Sequence, residues 1–292
     1  MANKLPYAIG CPAWSIPEWR GKFLPQSTPQ SKLLREYSRV FNTVEGNSFF
    51  YALPQEEIVQ RWADESAEGF EFCMKVPRDL SHTNRLSASG PIFESLIRRL
   101  DILREAIRLG TTFLQLHASF GPSRLEELGE FLDGWPDRLP IAVEVRNEAF
   151  FQPGRSRSDL YALLRGRECD RVTFDSRALF SAPPSDPVEE KSQERKPRLP
   201  VEWTVTGKRP LVRFVGRNNI NLVDPWQSEV ARVVAHWIRE GRRPYVFMHT
   251  PDDTFAPQLC RRFHCLLQEW IPDLPDLQFP QVESQLGLFD LL

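Results

Sequence analysis

TFLQLHASFGPSRLEELGEFLDGWPDRLPIAVEVRN, residues 112–147, carries one complete repeat of the pattern on which the chain is built. It opens on a β-favouring run, TFLQLHA, that ends near Ala118. Gly121 and Pro122 break that run, and Ser123 stands where a cap would open the amphipathic segment RLEELGEFLDGW. Pro136 and Pro140 punctuate the return to a second apolar run, IAVEVRN. A strand, a helix and a strand in so short a span make a βαβ unit with parallel strands.

The rhythm extends in both directions. Upstream lie a strand from Tyr7 to Cys11, a helix from Gln30 to Val40, the strand run TVEGNSFF from Thr43, and the helical run EEIVQRWADES behind Pro54. FEFCMKV follows as a third strand, then the longest expected helix, Ile92 to Leu109, stopped by Gly110. Downstream, SDLYALLRG, RVTFD ending at Asp175, PLVRFVG, SEVARVVAHWIREG, PYVFMHT and APQLCRRFHCLLQEW alternate in the same way. Residues 181–207 alone break the pattern, being rich in Pro, Ser and alternating charge. They read as a flexible excursion after strand six in place of a clear helix. Eight strands with a helix after nearly every one predict a single (β/α)8 TIM barrel over residues 1–272, with a tail over 273–292. The turn after the first strand reads GCPAW and lacks the GxGxxG that an open dinucleotide-binding sheet would carry.

Composition narrows the class. The chain has 292 residues, 41% hydrophobic and 26% charged, enough apolar content for a large core. A formal net charge of -2 argues against a nucleic-acid-coating polycation. Five Cys without a CxxC pair read as reduced thiols of a cytoplasmic protein. No apolar run reaches the roughly 18 residues of a membrane span, so no membrane partner is expected.

In a parallel barrel, polar residues near the strand C-termini point into the mouth where ligands bind. Residues two apart share a face. That spacing selects Glu45 and Asn47 on strand two, Lys75 on three, Gln115 and His117 on four, and Glu144 and Arg146 on five. It adds Asp175 on six, Arg213 on seven and His249 on eight. Glu45, Glu144 and Asp175 set against Lys75, Arg146 and Arg213 make three charges of each sign, which would also suit ion pairs that merely plug the barrel. Glu144, Asp175 and Lys75 are the candidates for catalysis and the others for substrate binding. His117, Glu144, Asp175 and His249 are metal-compatible types, but the three cations among them oppose a metal and favour phosphate or carboxylate. No metal site is therefore expected, and no cofactor is assigned. Trp14, Trp19, Phe49, Phe50 and Tyr51, near Arg20, Lys22 and Arg85, would suit a stacked base or sugar, although packing accounts for most of them.

The segments IGCPAW, YSRVFNTVEGNSFFYALP, FEFCMKVPRDLSHTNRL, IAVEVRN, VTFDS, LVRFVGRN and YVFMHTPDDTFAP together resemble the domain-of-unknown-function 72 (DUF72) family, the YecE-like barrel proteins. The resemblance covers about residues 7 to 270 and implies a barrel similar to the xylose-isomerase and endonuclease IV group, without an established reaction. It implies site roles for Glu45, Asn47, Lys75, His82, Gln115, Glu144, Arg146, Asp175 and Arg213. The chain departs from the commoner family form at CPAW, His117 and His249, and imitates the endonuclease IV metal cluster only in part.

Behind Pro272 and Pro275, the tail ends in FPQVESQLGLFDLL. Gln285, Leu286, Gly287, Leu288 and Phe289 resemble the pentapeptide that docks on the bacterial DNA polymerase III sliding clamp. In that reading Leu288 and Phe289 fill an apolar pocket, Gln285 hydrogen-bonds at the rim, and Leu286 belongs to the same partner-binding set. Three readings share the mouth: a phosphate-binding factor of nucleic-acid processing or repair recruited by this tail, a sugar-phosphate isomerase or hydrolase, and a non-catalytic binding module.

Overall fold

The computed structural model describes residues 5–83 and 85–281. Short apolar runs form eight strands: β1 Ala8–Gly10, β2 Thr43–Gly46, β3 Glu71–Met74, β4 Thr112–Gln115, β5 Ile141–Glu144, β6 Asp170–Asp175, β7 Leu211–Val215 and β8 Tyr245–His249. Between and after them lie α1 Leu33–Val40, α2 Ser48–Tyr51, α3 Glu56–Glu65, α4 Arg78–Ser81, α5 Pro91–Glu105, α6 Leu125–Asp133, α7 Arg155–Gly166, α8 Pro187–Arg195, α9 Asp224–Arg239 and α10 Ala256–Trp270. Among the described residues, no helix is long and apolar enough to cross a membrane.

Six strands form a curled parallel sheet in the order β1-β8-β7-β6-β5-β4, and β2 pairs with β3 as a separate parallel ribbon. Backbone hydrogen bonds outside the sheet ladders tie the ribbon to both sheet edges. On one side Glu45 N–H donates to Cys11 O at 3.0 Å, and on the other Val76 N–H donates to Phe113 O at 2.9 Å. A side chain on Gly10 would put its Cβ 2.0 Å from Thr43 O, so β1 and β2 approach closely only because position 10 lacks one. The eight-strand expectation thus appears as a six-stranded sheet plus a two-stranded ribbon.

Strand alternation divides the core into two layers. Inward side chains, among them Cys73, Phe113, Val172, Leu211 and Phe247, pack on one another along the sheet's concave side. Outward ones such as Val44, Leu114, Val143, Val212 and Val246 pack under the helices, meeting Leu96 and Leu100 of α5 and Val230 and Val234 of α9. Each such fully buried Leu or Val contributes about 1.5–3 kcal/mol. Truncating Leu100 to Ala would cost about 2–5 kcal/mol, because the rigid sheet cannot collapse into the void.

Three local expectations are corrected. Helix α5 ends at Glu105, not Leu109, and is shorter than the sixteen-residue α9. Ile107 turns left-handed (φ 57°), after which Arg108 O and Gly110 N–H bond to Phe72 on β3. Bonds to β3 thus replace the last helical turn, and a Cβ at Gly110 would stand 3.3 Å from Phe72 O and 3.2 Å from the Tyr245 ring. Ser123 is not a cap: it lies inside a 3-10 turn, Pro122–Arg124, that leads into α6. The excursion over 181–207 does hold a helix. Asp186 caps α8 by accepting from the N–H groups of Val188 and Glu189. Arg217 then binds the buried Glu189 carboxylate at 2.6 Å. The low apolar content that argued for a loop was offset by one charge pair that pins the helix down.

Candidate functional site

Register places the inward polar side chains together at the C-terminal ends of the strands. Residues opposite one another in neighbouring strands share a face, and Gln115 lies opposite Glu144, Phe174 opposite Arg213, and Val215 opposite His249. Glu45, Lys75, Gln115, Glu144, Arg213 and His249 are all buried there, with Asn47 and Arg146 half-buried beside them.

Arg213 is the hub. Its Nε and Nη2 each donate to Glu45 at 2.8 Å, and its Nη1 donates to Glu144 at 2.7 Å. Glu45 also accepts from Asn47 Nδ2 at 2.8 Å and binds His249 Nε2 at 2.9 Å. Burial by itself would raise the Glu45 pKa, but Arg213 and His249 outweigh it and hold the carboxyl well below its usual range. An ionised carboxylate only accepts, so His249 Nε2 carries the hydrogen. Burial likewise opposes ionisation of Glu144, and Arg213, Arg146 and Lys75 overcome it, leaving its pKa at about 2.

A second convergence lies next to the first. Lys75 Nζ at 3.0 Å, Arg146 Nη2 at 2.8 Å and Arg213 Nη1 at 3.4 Å all point at one acceptor, Gln115 Oε1. Arg146 Nε also donates to Glu144 at 2.7 Å. Lys75 sits 3.7 Å above the Phe50 ring, and the Arg146 and Arg213 guanidiniums lie over Phe174 at 5.4 and 5.5 Å. Burial first, and then Arg213, push Lys75 down to about 7.

His82, just past α4, lies at the rim with Nδ1 2.9 Å from Ser81 Oγ and its ring 5.2 Å from Phe50 and 5.5 Å from His117. Burial and then Lys75 push its pKa down to about 4, so its ring is neutral near pH 7. His117 is exposed and bonded locally to Ser119 Oγ at 2.8 Å. Of the aromatic group, Phe50 reaches the cluster, Trp14 and Phe49 pack on Trp62, and Trp19 is buried with its Nε1 on Asp253 O at 2.9 Å.

Asp175 does not join. Phe174 is the inward residue of β6, so Asp175 faces the helices, where Arg177 grips it through Nε at 3.0 Å and Nη2 at 2.9 Å. Arg177 continues to Glu229 of α9 at 2.8 Å. The expectation of Asp175 as a catalytic base in the mouth is therefore corrected: Phe174 takes the inward position, and the alternation of the strand puts the neighbouring carboxylate on the helix side. Its departure also unsettles the balanced plug. Two carboxylates remain, Glu45 and Glu144, against the three cations Lys75, Arg146 and Arg213.

The sequence reading also missed Lys196. It follows α8, is half-buried, and has a pKa lowered by burial and then by Arg213, with Asp253, Glu45 and Arg146 also acting on it. Nothing in the charge-rich run KSQERKPR singles it out. Asp253 lies beside the cluster as well, its Oδ1 3.8 Å from His249 Nδ1 and its pKa raised by burial. Among the described residues no group of three or more His, Cys, Asp or Glu is arranged to hold a metal ion. The Glu45 and Glu144 oxygens are turned toward guanidinium donors. Gln285, Leu286, Leu288 and Phe289 lie outside the described residues.

A family model described as a protein of unknown function, DUF72, matches residues 8–281. The UPF0759 protein YecE of Escherichia coli is 36% identical over 286 residues, spanning 96% of this chain and 99% of the relative. A solved DUF72 family protein of Thermotoga maritima is similar at a TM-score of 0.68 and 21% identity, over 90% of this chain and 99% of that one. One from Enterococcus faecalis is similar at 0.65 and 22%, over 85% of this chain and 96% of that one. At these identities the two structures speak for the fold alone.

Proposed function

This chain belongs to the DUF72 family of proteins of unknown function, and from that premise and the chemistry of the strand ends we propose that it binds a phosphate-bearing small molecule there. The observation that carries the reading is the convergence of Lys75, Arg146 and Arg213 on the single oxygen Gln115 Oε1. An amide oxygen has two lone pairs for three cationic donors. The carboxylate oxygens nearby are engaged by Arg213, Arg146, Asn47 and His249. The unmet demand at this end of the protein is thus for negative charge, as a phosphate would supply. Lys196 adds a further cation beside it.

The reading takes the six-stranded sheet and the β2–β3 ribbon as one closed eight-stranded barrel, on the strength of the two tethers at Glu45 and Val76. It favours a small-molecule ligand, such as a sugar phosphate, over duplex DNA. Affinity for a duplex comes from many phosphate contacts spread over a surface, whereas these cations crowd around one atom.

Calorimetric titration with inorganic phosphate and with a panel of sugar phosphates tests the proposal. Binding should weaken by about 10- to 100-fold in Arg146→Met, the loss of one charge-assisted contact. Absence of binding by the unaltered protein, or equal affinity in that variant, would sink it.

The tail supports a separate proposal from its sequence. The Gln285, Leu286, Leu288 and Phe289 pattern behind Pro272 and Pro275 suits docking on a bacterial DNA sliding clamp. A pull-down comparing the full chain with one lacking residues 285–292 decides it, since unchanged capture would remove the idea.

A further inference from the structure

We infer that Lys75 is a nucleophilic amine that forms an imine with a phosphorylated aldehyde or ketone bound at the strand ends. The inference rests on the anion-binding reading above and names its substrate class. Its basis is a contrast in how the cations of the cluster are paired. Arg213 and Arg146 each contact a carboxylate at 2.8 Å or less. Among the described residues Lys75 forms no ion pair, although Glu45 and Glu144 stand in the same cluster. Its one hydrogen bond runs to a neutral amide oxygen that it shares with two guanidiniums.

A buried ammonium beside two guanidiniums and without a carboxylate partner is disfavoured relative to the free amine. The groups facing Lys75 are Arg213 from β7, Glu144 and Arg146 from β5, Glu45 from β2, and His82 at the rim. The two carboxylates and the Phe50 face favour the ammonium, while burial and the guanidiniums oppose it. The balance leaves the amine half-deprotonated at about pH 7. An ordinary lysine at that pH is about one part in a thousand or less free amine.

The step balances without a further reagent. The free Lys75 amine adds to the carbonyl carbon, its two hydrogens leave with the carbonyl oxygen as water, and the C=N nitrogen takes up one proton from solvent. Nothing is oxidised or reduced. The protonated imine carries the same charge as the Lys75 ammonium, so Glu45 and Glu144 keep their pairing with Arg213. Arg146, which shares Gln115 Oε1 with Lys75, would hold the phosphate of such a substrate.

The test treats the full chain with glycolaldehyde phosphate or with glycolaldehyde, traps imines with borohydride, and maps the adduct by peptide mass spectrometry. Lys75 should be modified first, at pH 7 on the order of a hundredfold faster than exposed lysines, with a rate that rises through about pH 7 rather than about pH 10. Lys75→Arg, which keeps a cation but cannot form an imine, should lose that adduct. Preference for the phosphorylated probe would support both readings. Equal labelling of Lys75 by both probes would keep the imine and overturn the phosphate site. Modification spread over exposed lysines, or falling on Lys196 with Lys75 untouched, would overturn the imine whatever the calorimeter shows. The wild-type map and pH profile decide the matter even if Lys75→Arg does not fold.

Discussion

Arg213 holds Glu45 with two parallel hydrogen bonds, Nε to Oε2 and Nη2 to Oε1, both 2.8 Å, although the two residues are 168 positions apart. Both side chains are buried, and the same guanidinium reaches Glu144 with its remaining nitrogen. One cation therefore neutralises two carboxylates and ties β7 to β2 and β5.

Removing that cation should be costly. Arg213→Met leaves Glu45 and Glu144 without their shared partner and should lower stability by about 3–5 kcal/mol, measured by urea denaturation. A loss under about 1 kcal/mol would show that the network contributes little to the fold.

Acid should unfold the protein through this same cluster. Glu144 is depressed to about 2 and Glu45 is also depressed, so both bind protons more readily when unfolded. Their contribution is present above the ordinary carboxylate pKa and is lost as pH falls from about 4.5 toward about 2. Melting temperature followed over that window should fall steeply, and Glu144→Gln should flatten the curve.

Asp170 behaves in the opposite sense. Burial raises its pKa to about 6, against bonding to Arg209 N–H at 2.8 Å, so the folded chain prefers the protonated acid. Stability should drop as pH rises from about 4 to about 6, because the folded state must then ionise a buried group. Asp170→Asn should be more stable than the parent by about 1–3 kcal/mol at pH 8, and the difference should vanish below about pH 4. A variant less stable at pH 8 would refute this.

Asp175→Asn tests on which side of β6 the carboxylate acts. The carboxylate belongs to Arg177 on the helix side of β6, so phosphate affinity should be unchanged while stability falls by about 1–3 kcal/mol. A tenfold loss of affinity at constant stability would return Asp175 to the site.

Helix α8 should be released by Arg217→Met. Glu189, fully buried, would lose the partner that holds it. Limited proteolysis within 181–207 should accelerate, and phosphate binding should weaken because Lys196 is carried by this segment. Unchanged cleavage together with unchanged binding would mean that the pair neither latches the helix nor places Lys196.

The order of strands and helices was legible because period-2 and period-3.6 patterns are local properties of the chain. Residues 112–147 announced a βαβ unit, and spacing alone put Glu45, Lys75, Gln115, Glu144 and Arg213 on neighbouring strand ends. Side-chain phase at a strand's last residue was not legible. RVTFD allows either Phe174 or Asp175 to face inward, and only hydrogen bonding to β7 selects Phe174. A one-residue shift reverses both faces of a strand, so this single choice removed one carboxylate from the cluster. Lys196 and the Arg217–Glu189 latch were hidden because no periodicity marks them.

Local pattern was enough to read the parallel α/β architecture, the family and a polar end to the strands. Tertiary structure alone decided the charge balance there, two carboxylates against Lys75, Arg146 and Arg213. Periodicity is written in neighbours three or four residues apart, whereas the buried cluster joins Arg213 to Glu144, 69 positions away, and to Glu45, 168 positions away, partners chosen by register and packing.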